Sequence, residues 1–356
     1  MERIDVGVLG ATGMVGTKLV RLIEGHPWFR LREVGASDRS MGQPLGLLVA
    51  DDDGGPLWDE AAAMVVKSTD AEYSSPILLS ALPSGVAREL EPRLAKSGHL
   101  VVSNASSHRM DPSVPLIIPE VNPDHIALAR DQIERSGGCI VTNPNCVVAG
   151  IAMVFHPLHE AFGLEHAVVT TFQAVSGAGL PGPSAGDLID NVLPFIAGEE
   201  DKLGNEIRKI LGRSTETGFE DAAMPVSATC TRVGVAHGHL ASVSLSFRRP
   251  PQVEEVRDVL NSFRGGILQD GLPSAPAHPI EVLESDNRPQ PRLDRDRGDG
   301  MTVTVGRIRT CEVHHLKMFV LSHNLIRGAA GAALLNAELC HARGLTARAT
   351  NTGVKG

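Results

Sequence analysis

The stretch Ile4-Asp5-Val6-Gly7-Val8-Leu9-Gly10-Ala11-Thr12-Gly13-Met14-Val15-Gly16 decides the fold of this chain. Its first part has the apolar character of a short strand, and residues 17–24, beyond the glycines, have the pattern of a helix. The glycines allow a tight turn, and the start of the helix offers free N–H groups to a pyrophosphate. A glycine motif alone is weak evidence, and a purely structural turn is the alternative. Its position between a strand and a helix nevertheless indicates a dinucleotide-binding α/β domain.

The turn after the second predicted strand indicates which dinucleotide would bind. Residues 31–36 read as that strand, and Ser37-Asp38-Arg39-Ser40 follow it. An acidic residue near this point is typical of NAD-binding domains, whereas Ser and Arg side chains suit the 2′-phosphate of NADP. Ser37, Arg39 and Ser40 therefore favour NADP. Because of Asp38, NAD stays an alternative cofactor. The alternative role for Arg39 is that of an ordinary solvated loop residue.

Further apolar segments continue the pattern of a parallel sheet. Residues 77–82 form a continuous apolar run of the kind found in buried parallel strands, and the loop Pro83-Ser84-Gly85 follows. Ligands of open α/β sheets bind beyond the carboxyl ends of the strands, so this loop is a candidate binding element. Other strands of the first domain are predicted over residues 63–67, 100–104 and 139–142.

Cys146 follows the turn Asn143-Pro144-Asn145 and begins an apolar run with the character of a buried helix. A thiol at a helix N-terminus lies beside free N–H groups, which favour the thiolate and can hold an oxyanion. Most free cysteines are buried and inert, so the position alone does not establish a nucleophile. Together with the predicted dinucleotide site, it makes Cys146 the candidate nucleophile of an oxidoreductase that works through a thioester.

The second half of the chain is richer in strands than in helices. Strands are predicted over residues 167–175, 228–246, 301–308 and 317–321. Such runs indicate an α+β domain beside the nucleotide-binding domain. An Ala-rich, amphipathic helix over residues 328–343 is expected to pack back on the first domain.

The predicted chemistry needs an acid–base group and a cationic pocket. His237 and His239 alternate with Gly238 in a segment that reads as a strand, so both side chains are expected on one face. Spacing does not choose between them, because the chain has 14 histidines and most must be structural. Candidate clamps for an acyl phosphate or a carboxylate are Arg109, Lys202 and Arg232.

The composition of the chain argues against several classes of protein. The chain has 356 residues, enough for two domains, with a net charge of −9 and 3% aromatic residues. It has no long basic block and no long apolar run, so neither nucleic acid nor a membrane is an expected partner. The five cysteines show neither metal-binding spacing nor a disulfide framework, so no metal is expected and a cytoplasmic location is predicted. A strand pattern begins at once, so no signal peptide is expected.

Taken in order, the motifs of the chain resemble those of aspartate-semialdehyde dehydrogenases, specifically the archaeal and fungal branch. The resemblance extends over almost the whole chain. The motifs that carry it are GATGMVG, SDRSMG, SNASSHRMDPSVPLIIPEVNPDH, TNPNC, TTFQAVSGAGLPG, NVLPFIAGEEDK, TCTRVGVAHGH, DNRPQPRLDRDRGDGMTVTVGRI and SHNLIRGAAGAALLNAEL.

The resemblance implies an α/β fold of the glyceraldehyde-3-phosphate-dehydrogenase-like kind. A Rossmann-type NADP-binding domain would span residues 1–145 and be completed by a C-terminal helix within residues 325–356. An α+β catalytic and dimerisation domain would span residues 146–324. The implied assembly is a homodimer or a homotetramer.

The resemblance also implies an activity. This is the NADP-dependent reductive dephosphorylation of 4-phospho-L-aspartate to L-aspartate 4-semialdehyde through a thioester on Cys146. Phosphate is released, and the reaction lies on the route to lysine, threonine and methionine.

By position, the resemblance assigns roles to individual residues. The implied catalytic residues are the nucleophile Cys146 with its neighbour Asn145, the substrate-orienting Gln173, and His239, chosen over His237. Glu200 and Arg232 would grip the amino and carboxylate ends of the substrate, and Arg109 and Lys202 its phosphate. The implied NADP-binding residues are Gly10, Thr12, Gly13, Met14, Val15, Ser37, Arg39, Ser40, Leu82, Pro83, Ser84, Ser176, Gly177 and Asn324.

Departures from the family pattern cluster near the predicted site. Val147-Val148 stand where the family usually has Ser-Thr. Leu240-Ala241 stand where it has Thr-Glu, so a carboxylate close to His239 is lost, and His237 replaces an expected Asp. The sequence therefore determines the identity of the substrate less well than the type of reaction.

Three other functions stay open. An acyl-CoA reductase resembling malonyl-CoA reductase would use the same Cys146 thioester but would need no phosphate clamp, so Arg109 and Lys202 count against it. N-acetyl-glutamyl-phosphate reductases usually carry Pro-Gly-Cys-Tyr at the nucleophile, which this chain lacks. A non-catalytic NADP-binding regulatory protein is an alternative of another class, and the intact Cys146 and His239 count against it.

Overall fold

Two six-stranded sheets, each with its own hydrophobic core, organise the chain. The computed structural model describes residues 2–49, 55–179, 181–215, 218–267 and 270–346. The strands are β1 (Ile4–Leu9), β2 (Phe29–Ala36), β3 (Lys67–Ser68), β4 (Ile77–Ser80), β5 (Leu100–Ser103), β6 (Cys139–Thr142), β7 (Leu164–Gln173), β8 (Arg213–Thr215), β9 (Gly218–Glu220), β10 (Val226–Arg232), β11 (His239–Phe247), β12 (Ile280–Leu283), β13 (Val303–Thr310) and β14 (Leu316–Ser322). The α-helices are α1 (Met14–Ile23), α2 (Asp59–Ala62), α3 (Ser84–Lys96), α4 (Ala127–Ser136), α5 (Cys146–Phe162), α6 (Ala185–Leu188), α7 (Glu199–Ile210), α8 (Val253–Ser262), α9 (Pro291–Asp294) and α10 (Gly331–Ala342), and a π-helical stretch, Ile326–Ala330, leads into α10.

The first sheet is parallel throughout and has the strand order β3-β2-β1-β4-β5-β6. Strands β4, β5 and β6 are buried at every position, which explains their continuous apolar sequences. The order reverses between β1 and β4, and such a reversal opens a crevice at the carboxyl ends of the strands. The predicted Rossmann-type domain is confirmed.

The second sheet is mixed and has the order β10-β7-β11-β14-β13-β12. Its central strands are antiparallel, while β10 and β12 pair in parallel at the two edges. Helix α5 is buried along most of its length against this sheet, which agrees with its apolar sequence. The predicted α+β architecture of this part is confirmed.

Helix α10 differs from its predicted character. An amphipathic helix was expected, yet every residue from Gly331 to Cys340 is buried. The helix packs into the core of the first sheet, with Ala333, Leu335 and Leu339 fully enclosed. A helix covered on all sides needs no polar face, which is why its small apolar residues continue around it. The predicted extension of this part to residue 356 lies outside the described residues from position 347 onward.

Two predicted strands have different bounds in the structure. The strand predicted around residues 63–67 is shorter and shifted: it is β3 at Lys67–Ser68, which shares only Lys67 with the prediction, and helix α2 at Asp59–Ala62 precedes it. The long strand predicted over residues 228–246 is two strands, β10 and β11, joined by a turn. Gly238 in that turn has φ +95°, a left-handed conformation that ends regular pairing.

Membrane insertion by a helix finds no support in the described part of the chain. None of the helices placed there combines the length and the apolar content that crossing a bilayer requires.

Candidate active site

A cavity of about 570 Å³ lies beyond the carboxyl ends of the first sheet's strands. Its lining joins turns that follow β1, β4, β5 and β6 to segments of the second sheet's unit. The predicted site residues found in this lining are Gly13, Met14, Val15, Leu82, Pro83, Ser84, Arg109, Asn145, Cys146, Ser176, Gly177, Lys202 and Asn324. Residues predicted from distant parts of the sequence are thus brought to one place.

Cys146 is the first residue of helix α5, and Asn145 is its N-cap. The Asn145 side chain accepts a hydrogen bond from the Val147 N–H at 3.0 Å, which ties off one of the free N–H groups of the first turn. Its amide nitrogen donates to Glu199 Oε2 at 2.8 Å. Asn145 therefore fixes the start of the helix and so the direction of the sulfur.

His239 contacts the sulfur directly. Its Nε2 lies 3.2 Å from Cys146 Sγ, and the residue is 1% exposed. His237 is directed elsewhere, because the left-handed Gly238 separates it from the start of β11 at His239. The choice of His239 agrees with this geometry, whereas the expectation that both rings share a strand face is wrong.

The electrostatic environment favours the neutral forms of both partners. Burial raises the pKa of the Cys146 thiol to about 12, and Glu199 adds to the rise while Arg109 and Arg232 oppose it. Burial lowers the pKa of His239 to about 3, and Arg232 acts in the same direction. Burial therefore opposes the thiolate that the helix N-terminus favours.

One buried carboxylate, that of Glu206 on α7, organises the cationic side of the cavity. Glu206 Oε1 accepts from Arg109 Nη1 at 3.0 Å, and Oε2 accepts from the Asn145 N–H at 2.6 Å. Arg109 Nη2 also donates to the carbonyl of Asn104 at 2.6 Å. The Glu206 carboxylate thus orients Arg109, the predicted phosphate-binding residue, and also holds Asn145, the residue before Cys146.

Lys209, one helical turn further along α7, fixes the same loop. Its buried Nζ donates to the carbonyl oxygens of Arg109, Asp111 and Val114 at 2.7, 2.7 and 2.8 Å. Because all three ammonium protons are used, Lys209 acts as a clamp on the loop that carries Arg109.

Two family models and several known enzymes match this chain. The chain matches the family models described as semialdehyde dehydrogenase, NAD binding domain, over residues 5–129, and semialdehyde dehydrogenase, dimerisation domain, over residues 155–327. It is 46% identical to the aspartate-semialdehyde dehydrogenase of Archaeoglobus fulgidus over 340 residues, which cover 95% of this chain and 98% of that protein. The enzyme of Aspergillus fumigatus is 43% identical over 352 residues, 95% and 97% of the two chains. The chain belongs to the aspartate-semialdehyde dehydrogenase family.

A solved structure of the family has the same fold. The crystal structure of aspartate semialdehyde dehydrogenase with NADP from Candida albicans superposes with a TM-score of 0.89 at 39% identity. The match covers 96% of this chain and 99% of that one. The predicted resemblance to the archaeal and fungal branch is confirmed.

Glu199 and Glu200, the first two residues of α7, have different surroundings. Glu200 is exposed and its Oε1 accepts from the Cys230 N–H at 3.0 Å. Glu199 instead contacts Asn145 and lies 3.1 Å from Lys202 Nζ. Consecutive helical residues point about 100° apart, so the two carboxylates contact different groups.

Sequence reasoning missed three residues of α7 that serve the site, namely Glu199, Glu206 and Lys209. Together with Lys202 they follow one another at intervals of three, four and three residues. This spacing puts all four on one face of a helix. The spacing of these charged residues in the sequence is the signal that could have predicted a helix with one charged face.

Arg232 and Gln173 end two neighbouring strands, β10 and β7, where they pair in register. Arg232 Nη1 donates to the carbonyl of Ala174 at 2.7 Å. Gln173 is buried, and its amide lies 3.4 Å from Thr171 Oγ1. Both side chains are therefore set at the sheet end that also presents His239.

A polar network closes the cavity on the side of the second sheet. Asn324 donates to Ser176 Oγ at 2.9 Å and accepts from the Gly238 N–H at 2.8 Å. His237 Nδ1 also lies 2.9 Å from Ser176 Oγ. His237 thus supports the predicted cofactor loop, which is its structural role in place of the expected Asp.

The turn after β1 fits a dinucleotide pyrophosphate. Gly10 has φ +78°, and a Cβ there would lie 2.6 Å from the carbonyl oxygen of Ala81. A Cβ at Gly16 would collide with the carbonyl of Gly10, so the turn requires glycine at both places. Thr12 lies in the same turn, and α1 begins at Met14 without a side-chain cap. The first N–H groups of α1 are therefore left for an anion.

The predicted 2′-phosphate residues lie on the turn after β2, outside the cavity lining. Ser37 and Arg39 are exposed and Ser40 is half-buried. Asp38 Oδ1 accepts from Ser68 Oγ at 2.9 Å, so the carboxylate that left NAD as an alternative cofactor is hydrogen-bonded to a neighbouring strand.

The described residues include no group of three His, Cys, Asp or Glu side chains that could hold a metal ion.

Replacing Glu206 by Gln tests the buried carboxylate. We expect the free energy of unfolding to fall by about 3–5 kcal/mol in denaturant titrations, because Arg109 is left buried without its counter-charge. The pKa of the Cys146 thiol should also fall, since Glu206 contributes to raising it. The matched Glu254→Gln change, on a side chain that is 82% exposed, should alter stability by less than about 0.5 kcal/mol. Equal losses in the two variants would contradict the assignment.

Replacing Gly177 by Ala tests the space beside His239. A Cβ there would lie 2.8 Å from His239 Cε1 and 3.0 Å from Arg232 Nη1, so one of these groups must move. We expect kcat/KM to fall by about 100-fold, with little change in melting temperature, because a small displacement of reacting groups suffices. In the control Gly186→Ala, the new Cβ meets only Ser184 Oγ at 3.7 Å. Wild-type kinetics for Gly177→Ala would show that neither group is needed where it lies.

Proposed function

We propose that this protein catalyses the NADP-dependent reductive dephosphorylation of 4-phospho-L-aspartate to L-aspartate 4-semialdehyde. One observation carries the proposal. Cys146 Sγ lies 3.2 Å from His239 Nε2 in a cavity whose lining also includes the glycine turn after β1 and the cations Arg109 and Lys202. This combination suits a cysteine that attacks an acyl phosphate beside a dinucleotide.

In the first step, Cys146 Sγ attacks the acyl carbon of the substrate. The thiol proton passes to His239 Nε2, a C–S bond forms and the C–O bond to phosphate breaks, which leaves a thioester on Cys146 beside a protonated His239. Arg109 and Lys202 hold the departing phosphate, and the first turn of α5 stabilises the developing oxyanion.

In the second step, the thioester is reduced and released as the aldehyde. NADPH, when bound at the glycine turn, supplies the hydride. The oxyanion left by hydride addition collapses to the aldehyde as the C–S bond breaks, the electron pair returns to sulfur, and His239 gives its Nε2 proton to Cys146 Sγ. Nε2 lies 3.2 Å from Sγ, which is the contact that this proton transfer needs.

The positions of three side chains indicate which groups of the amino-acid substrate they would bind. Arg232 would bind the α-carboxylate, and Gln173 on the neighbouring strand would orient the carbonyl. Glu199 takes the amino group in place of Glu200, because Glu199 is the carboxylate that lies beside Asn145 and influences Cys146. The retained cations Arg109 and Lys202 favour an acyl phosphate over an acyl-CoA.

We also propose the division and assembly of the chain. Residues 1–145 and 325–356 would form the NADP-binding domain, and residues 146–324 the catalytic and dimerisation domain. The burial of α10 in the core of the first sheet supports this division. The dimerisation-domain match and the exposed side chains of Ile189, Val192 and Phe195, which are 75, 52 and 67% exposed, support a homodimer or homotetramer. Five free cysteines favour a cytoplasmic location.

The reaction is tested in its reverse direction. We expect phosphate-dependent reduction of NADP with L-aspartate 4-semialdehyde, followed by the absorbance of NADPH, and its loss in Cys146→Ala. Activity in the wild type would also show that Leu240 and Ala241 beside His239 are tolerated. No turnover by a protein that binds NADPH and has a reactive Cys146 would overturn the substrate, and acyl-CoA substrates would be assayed next.

Replacing Arg39 by Ala tests the cofactor assignment. We expect the KM for NADPH to rise by about 10- to 100-fold, because charge-assisted hydrogen bonds to the 2′-phosphate are lost. The KM for NADH, which has no such phosphate, should stay within about twofold. A parallel rise for both dinucleotides would show that Arg39 acts on the shape of the turn instead.

A further inference from the structure

We propose that Ser68 of β3 secures the preference for NADP over NAD, by holding the carboxylate of Asp38 away from the place where the 2′-phosphate binds. The inference deepens the proposed function, because it rests on the binding of NADP at the turn after β2. Ser68 is a positioning residue in this role, since it acts on the cofactor through Asp38.

The turn after β2 carries groups of opposite effect side by side. Arg39 and the hydroxyls of Ser37 and Ser40 suit a 2′-phosphate, whereas Asp38 is an acidic group of the kind that holds the ribose hydroxyls in NAD-binding domains. An ionised carboxylate and a phosphate repel each other. The cofactor preference of such a turn therefore depends on where the carboxylate of Asp38 lies.

The hydroxyl of Ser68 decides that position. Ser68 Oγ lies 2.9 Å from Asp38 Oδ1, to which it donates its only proton. The same oxygen accepts from the Asp70 N–H at 3.3 Å. Because the hydroxyl donates on one side and accepts on the other, its direction is fixed. The carboxylate of Asp38 is thereby directed towards β3.

Ser68 is itself held in place by several contacts. It pairs in register with Ala36, the last residue of β2, and the Thr69 N–H donates to the carbonyl of Ala36 at 3.1 Å. Tyr73 Oη donates to the carbonyl of Ser68 at 2.8 Å. The short strand β3 thus presents a firmly placed hydroxyl to the turn that follows β2.

The backbone of the turn is fixed as well. The Ser40 N–H donates to the carbonyl of Ser37 at 2.8 Å, and the side-chain amide of Gln43 donates to the carbonyl of Arg39 at 3.2 Å. A released Asp38 side chain would therefore move by rotating about its own bonds, on a turn that keeps its shape. Such a rotation leads either towards the neighbouring guanidinium or towards the cofactor ribose.

The cations near this turn show what the contact achieves. Lys67 Nζ lies 2.6 Å from Glu33 Oε2, so its charge is already neutralised. Arg39 is exposed, and no carboxylate among the described residues pairs with its guanidinium. Arg39 is therefore left to bind a phosphate, although Asp38 is its neighbour in the sequence.

Losing the hydroxyl would shift the preference towards NAD by either of two routes. An Asp38 carboxylate that pairs with Arg39 takes that cation from the 2′-phosphate. One that turns to the ribose repels the phosphate and accepts hydrogen bonds from the 2′- and 3′-hydroxyls of NAD. Because one exposed hydrogen bond has a modest free energy, the expected change is a shift of about tenfold and not a full reversal.

The binding of NADPH and NADH tests the inference. Their dissociation constants are measured in the full-length protein without substrate, by the fluorescence of the reduced nicotinamide. In Ser68→Ala, we expect the ratio of the NADH constant to the NADPH constant to fall by about tenfold. The matched variant Ser68→Thr keeps a hydroxyl and suits a strand, so its ratio should stay within about twofold of the wild type.

The same change in a background without the charge identifies the group through which Ser68 acts. Asp38→Asn keeps an oxygen that can accept from Ser68 but removes the negative charge. Adding Ser68→Ala to Asp38→Asn should alter the ratio by less than about twofold, because a released neutral side chain neither pairs with Arg39 nor repels a phosphate.

An unchanged ratio in Ser68→Ala, including a parallel loss of affinity for both dinucleotides, would overturn the inference. An equal fall of the ratio with and without the charge of Asp38 would overturn it too. A wild type that binds NADH and NADPH equally would contradict the cofactor assignment itself, and the inference with it. Because no substrate is used, a failure of the proposed reaction would leave these outcomes unaffected.

Discussion

The carboxylate of Glu206 is the contact on which the geometry of this site depends. Removing a carboxylate from water is costly unless a counter-charge and hydrogen-bond donors replace the solvent. Arg109 and the Asn145 N–H supply both, each to a different oxygen. Because the two donors belong to loops of the first sheet and the acceptor to a helix over the second, this one side chain sets how the two units meet around Cys146.

The architecture and the nucleophile could be predicted from the sequence for physical reasons. Strands β4, β5 and β6 are buried on both faces, so their sequences must be apolar at every position and are easy to recognise. The turn at Gly10 tolerates no side chain, which leaves a readable glycine pattern. Cys146 stands out because a helix start beside a turn is encoded locally, by Pro144 and Asn145.

Other features depend on relations that a sequence does not display. Which of Glu199 and Glu200 contacts Asn145 depends on the phase of α7, which begins after the left-handed Gly198. The two histidines of residues 237–239 separate because Gly238 adopts φ +95°, a value that glycine permits but does not require. The protonation of Cys146 depends on desolvation by several elements at once, and that sum exists only in the folded chain.

The position of α10 has a consequence for how the protein is made. A ribosome releases β1 to β6 long before Ala333, Leu335 and Leu339, the residues that complete their core. The unit built around the second sheet is therefore fully synthesised while the first is still open. Asn336 of the late helix also donates to Asn143 Oδ1 at 2.6 Å, in the turn that precedes the nucleophile. The reactive cysteine is thus set in its final surroundings only after α10 has been synthesised, and a chain that stops before this helix lacks the Asn336 contact to the turn.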